Sequence, residues 1–191
     1  MTSDDTDTRT QRERMAAGDL YIADDPELET AARRAMILAD RYHREAVAGD
    51  EAAATTLREL LGEVGDDVVV RPPLYVDYGS NISIGPGTFV NFHLTALDVV
   101  DIRIGADCQI GPNVQLLTPT HPLDPEPRRA KFEAAQPITI GDNVWLGGGV
   151  IVCPGVAIGE NSVIGAGSVV TRDIPANVVA VGSPARVVRE L

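Results

Sequence analysis

A mainly β solenoid with a helical N-terminal part is what this sequence predicts, and three observations predict it: a six-residue repeat, a helical stripe before it, and one long interruption within it. From Ile140 the chain reads IGDNVW, LGGGVI, VCPGVA, IGENSV, IGAGSV and VTRDIP. Six consecutive hexads open with an aliphatic residue, and four have Gly second. The same phase appears in IGADCQ and IGPNVQ from Ile104, and in IGPGTF and VNFHLT from Ile84. A period of six is no helix period; it fits short strands broken by a turn at every sixth residue. The first residue of each hexad points inward, and the following Gly permits a tight corner. Three hexads close one triangular coil, and stacked coils pair their backbones about 4.8 Å apart. One coil cannot bury its own apolar face, so several must stack. Strands of a sandwich recur every ~8–12 residues, and these recur every six.

The N-terminal part follows a different period. Leu28, Ala31, Ala32, Ala35, Leu38, Ala39, Tyr42 and Ala46 fall at three- and four-residue steps, one helical stripe. Asp25-Pro26-Glu27 is its start, with Asp as cap and Pro in the first turn. A second helix begins at Asp50-Glu51 and ends near Gly62 or Gly65. The division expected is a helical cap over 1–65 and a solenoid over 66–191, carrying a loop at 118–137. The cap covers the solenoid's open end, where unpaired backbone invites aggregation.

Composition narrows the function. Net charge is −12, and an acidic surface repels phosphate backbones, so nucleic acid is not an expected partner. No apolar run approaches the ~20 residues that span a bilayer. The start, MTSDDTDTRTQRER, lacks the apolar segment of a signal peptide, which points to a cytoplasmic protein. Cys108 and Cys153 form no metal-type spacing and no disulfide framework.

Between Leu117 and Ile138 the hexads stop for TPTHPLDPEPRRAKFEAAQP, with five prolines, six charged residues and one histidine. Loops longer than ~12–15 residues are usually functional or disordered, and the prolines predict extended backbone here. Of three histidines, His43 lies in the first helix and His93 at a non-core place of its hexad. His121 opens the loop, where regular structure breaks. An imidazole near its usual pKa of ~6.5 accepts a proton at neutral pH. The chain has no Gly-Lys-Ser/Thr phosphate loop, no GxSxG and no HExxH. A metal is not expected, because three zinc-binding histidines would need His43 to join the other two from the helical region.

The segments AAGDLYIADDPEL, PPLYVDYGSNISIG, NFHLTALD, GPNVQLLTPTHP, PITIGDNVWLGGGVIVCPGV and IGENSVIGAGSVVTRDIPANVVAVGSPARVVRE, in that order, resemble the maltose, galactoside and nodulation-factor O-acetyltransferase family of hexapeptide-repeat acetyltransferases. The resemblance implies a left-handed parallel β-helix, a homotrimer, active sites between subunits, and acetyl-CoA as co-substrate running along the solenoid. It implies His121 as general base, Asn91 as the residue contacting the acceptor hydroxyl or the oxyanion, and Glu133 as the carboxylate orienting the histidine. Asp77 and Asp24 fall at or beside acceptor-facing positions. Trp145, Gly147 and Gly148 fall along the cofactor's acetyl-pantetheine arm. Ala166, Thr171, Arg172, Arg186 and Arg189 fall near its pantetheine end and phosphates, which arginine suits by offering bidentate donors. Val99 and Ala23 stand where the galactoside enzyme has acids, so the acceptor pocket departs from that enzyme.

The reaction this implies is direct transfer in a ternary complex with a sugar-like acceptor. A hydroxyl attacking a thioester needs a base, worth about 10²–10⁴ in rate. Three alternatives stay open: a non-sugar acceptor; a zinc-dependent carbonic anhydrase on the same solenoid, which predicts bound metal; and a non-catalytic trimeric scaffold, which predicts no thiol release.

Overall fold

In the computed structural model, which describes residues 7–191, a three-faced β-solenoid carries helices at its N-terminal end. The expectation drawn from the polar start falls partly on residues 1–6, outside the described residues. Among the described residues no helix is long and apolar enough to cross a membrane.

The hexads build three parallel sheets. The first, a polar face, contains Glu63–Val64, Ile82–Ile84, Ile102–Ile104, Ile138–Ile140 and Ala157–Ile158. The second, the groove face, contains Val69–Val70, Phe89–Val90, Gln109–Ile110, Trp145–Leu146, Val163–Ile164 and Val178–Val181, and ends in the antiparallel strand Arg186–Glu190. The third, the loop-side face, contains Leu74–Val76, Leu94–Leu97, Gln115–Leu117, Ile151–Val152 and Val169–Val170.

Register sets the core. Ile84, Ile104, Ile140 and Ile158 pair in one buried column, and Val90, Ile110, Leu146 and Ile164 in another. Each such side chain contributes ~1.5–3 kcal/mol by leaving water. The Gly after the aliphatic residue is required by coil stacking rather than by backbone twist. A Cβ on Gly147 would lie 2.6 Å from the Ala166 backbone nitrogen of the next coil.

The backbone twist falls instead on the fourth place of the hexad. Asp107, Asn143, Asn161 and Asn177 have φ between 54° and 59°, a region open to Asn, Asp and His at lowest cost among non-glycines. Asn143 donates its side-chain amide to Asn161, and Asn161 to Asn177, each at 3.0 Å. The next corner carries His93 and Asn113 at φ 62° and 59°, then Gly149 and Gly167. His93 therefore occupies a turn position, and its ring stacks on Tyr75 with centroids 6.5 Å apart.

Helix α1 spans Gln11–Ala16, α2 Pro26–Ala48 and α3 Ala52–Leu60. Asp25 caps α2 by accepting from the Glu27 and Leu28 backbone N–H groups, and Gly49 ends it at φ 71°. Tyr42 of α2 donates its hydroxyl to the Val70 carbonyl, tying the cap to the groove face. Sequence periodicity passed over α1, which has no apolar stripe. It starts in a capping box between Thr10 and Glu13, and Arg12 pairs with Glu27 at 2.9 Å.

The long loop is not extended throughout, as its prolines predicted. Pro125–Arg129 forms a short helix, α4, capped by Asp124 with Pro125 in its first turn. Proline favours a helix start as readily as it opposes a helix interior. On either side of α4 the loop folds back on itself: Pro119–Thr120 pairs antiparallel with Phe132–Ala135, which pairs in turn with Tyr21–Ile22 of the N-terminal segment.

Candidate active site

Two groups of the expected residues come together in separate places. The first is a groove of about 460 Å³ on the groove face, lined among others by Asn91, Trp145, Gly147, Gly148 and Ala166. Trp145 points outward, 55% exposed, and lies in register between Gln109 and Val163. At the corner, register aligns Asn91 with Gly111, Gly147 and Gly165 of successive coils. Among the described residues of this column polar side chains replace the hexad glycine at Asn91 and, one coil earlier, at Arg71. The Asn91 Oδ1 accepts from the Phe92 N–H at 2.8 Å, which leaves the amide nitrogen as donor to the groove.

Gly111, Gly147, Gly148, Gly165 and Ala166 line the groove beside Pro112 and Val163. A Cβ on Gly165 would strike Val181, and Val181 pairs with Arg186. Arg186 therefore flanks the far end of the column, with Arg189 further along the same strand. Thr171 and Arg172 do not join it. They follow Val169–Val170 on the loop-side face, exposed.

The second group surrounds the loop. Tyr21 and Glu133 are directly opposed across the antiparallel pair, and the buried Tyr21 hydroxyl donates to Glu133 Oε2 at 3.0 Å. Burial, then the Glu133 charge, push the Tyr21 phenol well above its ordinary range. On Glu133's other side Thr120 pairs with Ala134, and His121 follows directly on the end of that strand. His121 is exposed.

Asp77 belongs with this group. Its carboxyl is pushed up to about 6, by burial first and then by the charges of Asp98 and Glu133. Tyr78 is pushed up to about 12, by burial first and then by the charges of Asp77, Asp98 and Glu133. Sequence reasoning missed Asp98. It is fully buried, and its Oδ1 accepts from the Asp77 and Tyr78 N–H groups at 3.0 and 2.9 Å, its Oδ2 from Asn81 at 3.1 Å. Burial pushes its carboxyl up while these donors pull it down. A charged residue at an inward place of a coil is the signal that could have revealed it. Asp24 stands apart, exposed beyond the end of the Tyr21–Ile22 strand.

His121 does not line the groove that holds Asn91. The loop leaves at the far corner of the loop-side face, whereas Asn91 lies at its near corner. From Asn113 to Thr118 the chain makes five extended steps, about 16 Å at ~3.3 Å each.

A coil-stacked solenoid, an extended groove with a polar corner and a histidine on a projecting loop define a hexapeptide-type acyltransferase. Residues 137–172 match the model described as bacterial transferase hexapeptide (six repeats), and residues 14–65 match the maltose acetyltransferase hexapeptide capping motif. The galactoside O-acetyltransferase of Escherichia coli K12 is 43% identical over 179 residues, 94% of this chain and 88% of the relative. Among solved structures, a maltose O-acetyltransferase from Clostridium difficile 630 superposes with a TM-score of 0.94 at 42% identity, covering 97% of this chain and 99% of that one. A galactoside acetyltransferase in complex with coenzyme A superposes at 0.90 with 42% identity, covering 95% and 91%. The chain belongs to the maltose and galactoside O-acetyltransferase family, and it is an acetyl-CoA-dependent acetyltransferase.

Proposed function

We propose that this enzyme transfers acetyl from acetyl-CoA to a hydroxyl of a sugar-like acceptor, with His121 of one subunit acting beside Asn91 of its neighbour in a homotrimer whose β-helix winds left-handed. The observation that carries this reading is the separation of the two groups within one chain. A complete site needs a second copy, and the outer surface of the solenoid supports one. On the polar face the outward residues are Glu63, Ser83, Arg103, Thr139 and Ala157. The other two faces and the corner between them expose Val69, Tyr75, Phe92 and Trp145, each by 44–55%. Large apolar side chains on two adjacent faces suit burial between subunits.

In this reading the groove holds the thioester arm along Trp145, Gly147, Gly148 and Ala166, and Arg186 and Arg189 meet its polar end; Thr171 and Arg172, on the loop-side face, reach it only from a neighbouring subunit. Asp77 faces the acceptor, while Asp24 lies outside that group, beyond the end of the Tyr21–Ile22 strand. His121 takes the proton of the acceptor hydroxyl as that oxygen attacks the thioester carbonyl. Asn91 donates its amide to the developing oxyanion, the kind of preorganised donor worth about 10²–10³ in kcat. Glu133, held by Tyr21, fixes the imidazole's tautomer. Protonated His121 then gives its proton to the departing thiolate, so no acyl-enzyme forms. The test is His121→Ala, assayed by thiol release from acetyl-CoA with glucose, maltose and a thiogalactoside. A fall of about 10²–10⁴ in kcat is expected; wild-type turnover would reject the assignment.

A further inference from the structure

Arg71 holds the corner one coil before Asn91. We infer that Arg71 is a positioning residue for Asn91: its guanidinium braces the aromatic side chains on either side of that asparagine and so fixes where the Asn91 amide points. This rests on the reading above, in which Asn91 donates to the oxyanion, and deepens it.

The backbone brings the two residues together. Pro72 follows Arg71 and keeps it extended. The Arg71 N–H donates to the Val90 carbonyl at 2.8 Å, and the Asn91 N–H to the Ile110 carbonyl at 2.9 Å. Two successive coils thus set Arg71 and Asn91 side by side at one corner. The next three coils fill that corner with Gly111, Gly147 and Gly165. Coil stacking therefore does not demand a long cationic side chain there.

The Arg71 side chain spans Asn91. Its guanidinium carbon lies 5.2 Å from the centre of the Phe89 ring and 5.0 Å from that of Phe92. Both distances fall within the ~6 Å at which a ring face attracts a cation. Phe89 stands two residues before Asn91 and Phe92 directly after it, so one planar group supports both flanks. Among the described residues that guanidinium forms no ion pair, and no carboxylate draws it off the rings.

Asn91 depends on this brace because its own anchor is Phe92. The Asn91 Oδ1 accepts from the Phe92 N–H at 2.8 Å, while Phe92 is 44% exposed. The chain turns immediately afterwards at His93, whose φ is 62°. A shift of Phe92 therefore re-aims the Asn91 amide. An oxyanion donor works only when aimed at the place where charge develops, and small misplacements cost rate. Phe89 and Asn91 both line the groove, so the displacement is felt where the thioester lies.

The experiment is a double-mutant cycle on the full-length enzyme. It measures kcat and both KM values by thiol release, using the best of glucose, maltose and a thiogalactoside as acceptor, and adds thermal melts. Arg71→Ala is expected to lower kcat about tenfold, part of the 10²–10³ that such a donor supplies. KM for acetyl-CoA and the melting temperature should stay near wild type. Arg71→Lys, which keeps a cation but not the plane, should fall between the two. In an Asn91→Gly background Arg71→Ala should cost nothing more, because groups that act as a unit are not additive. The same tenfold loss in both backgrounds would overturn the inference, since Arg71 would then act independently of Asn91. A raised KM for the acceptor at unchanged kcat would overturn it too, by making Arg71 a substrate contact. Full turnover by Asn91→Gly alone would instead remove the oxyanion donor on which the inference rests, a result read from a different variant.

Discussion

Tyr21 and Glu133 come from segments 112 positions apart, yet they face each other across two antiparallel strands and share a 3.0 Å hydrogen bond. That bond links the N-terminal segment to the loop that carries His121, so the first helical turns bear on the chemistry as well as on capping. Tyr21→Phe is expected to cost ~1 kcal/mol of stability. It should also lower kcat several-fold while leaving KM for acetyl-CoA unchanged, because the freed Glu133 no longer fixes the imidazole. Steady-state kinetics with each substrate varied in turn separates the two effects.

Asn91 allows function to be removed without disturbing the fold. It shares its column with Gly111, Gly147 and Gly165, so Asn91→Gly gives the corner the residue that the next three coils use. The melting temperature should stay near wild type while kcat falls about 10²–10³-fold, the usual cost of losing an oxyanion donor. A matching fall in melting temperature would make Asn91 a structural residue.

The glycines of the groove separate by the same reasoning. At Gly147 a Cβ would lie 2.6 Å from Ala166 backbone, whereas at Gly148 its nearest contacts are Pro112 atoms at 3.4 Å. Gly147→Ala must push two coils apart and should destabilise by ~1–3 kcal/mol. Gly148→Ala should fold near normally and raise KM for acetyl-CoA. Thermal melts and coenzyme titration distinguish them.

Asp77 carries a pH dependence with a definite sign. Its carboxyl stands at about 6 in the fold against 3.8 ordinarily, so the folded state binds the proton more tightly. Stability from this group is greatest when it is protonated and is lost as pH rises from about 4 through about 6. Asp77→Asn should therefore raise the melting temperature at pH 7.5 and change it little at pH 4. Melts at the two pH values check it; equal shifts would show that Asp77 is not held in that environment.

Much of the architecture was legible in the sequence because it is periodic. Ile140 to Val170 fixes both the coil and the inward column, and Leu28 to Ala46 fixes one helix face. Elements held by single polar contacts were harder to read. Helix α1 has one buried side chain and starts on a Thr10–Glu13 signal that periodicity does not register. Helix α4 begins at Asp124-Pro125, the same cap that marks α2, but within a proline-rich segment read as extended. Asp98 is an acid inside a coil, explained by the 77–81 corner it pins. The pairing of Pro119–Thr120 with Ala134–Ala135 next to His121 depends on how the loop folds back, a relation of register that no local pattern carries.

The central claim is that His121 works beside Asn91 of a neighbouring subunit, and mixed assemblies test it most directly. His121→Ala and Asn91→Gly enzymes, each at least about a hundredfold slower alone, would be unfolded together, refolded and assayed for thiol release. A shared site predicts recovered activity, with roughly one site in four intact after random assortment in a cyclic trimer. Mixtures that assemble but stay inactive would place both residues in one chain's site and contradict the account.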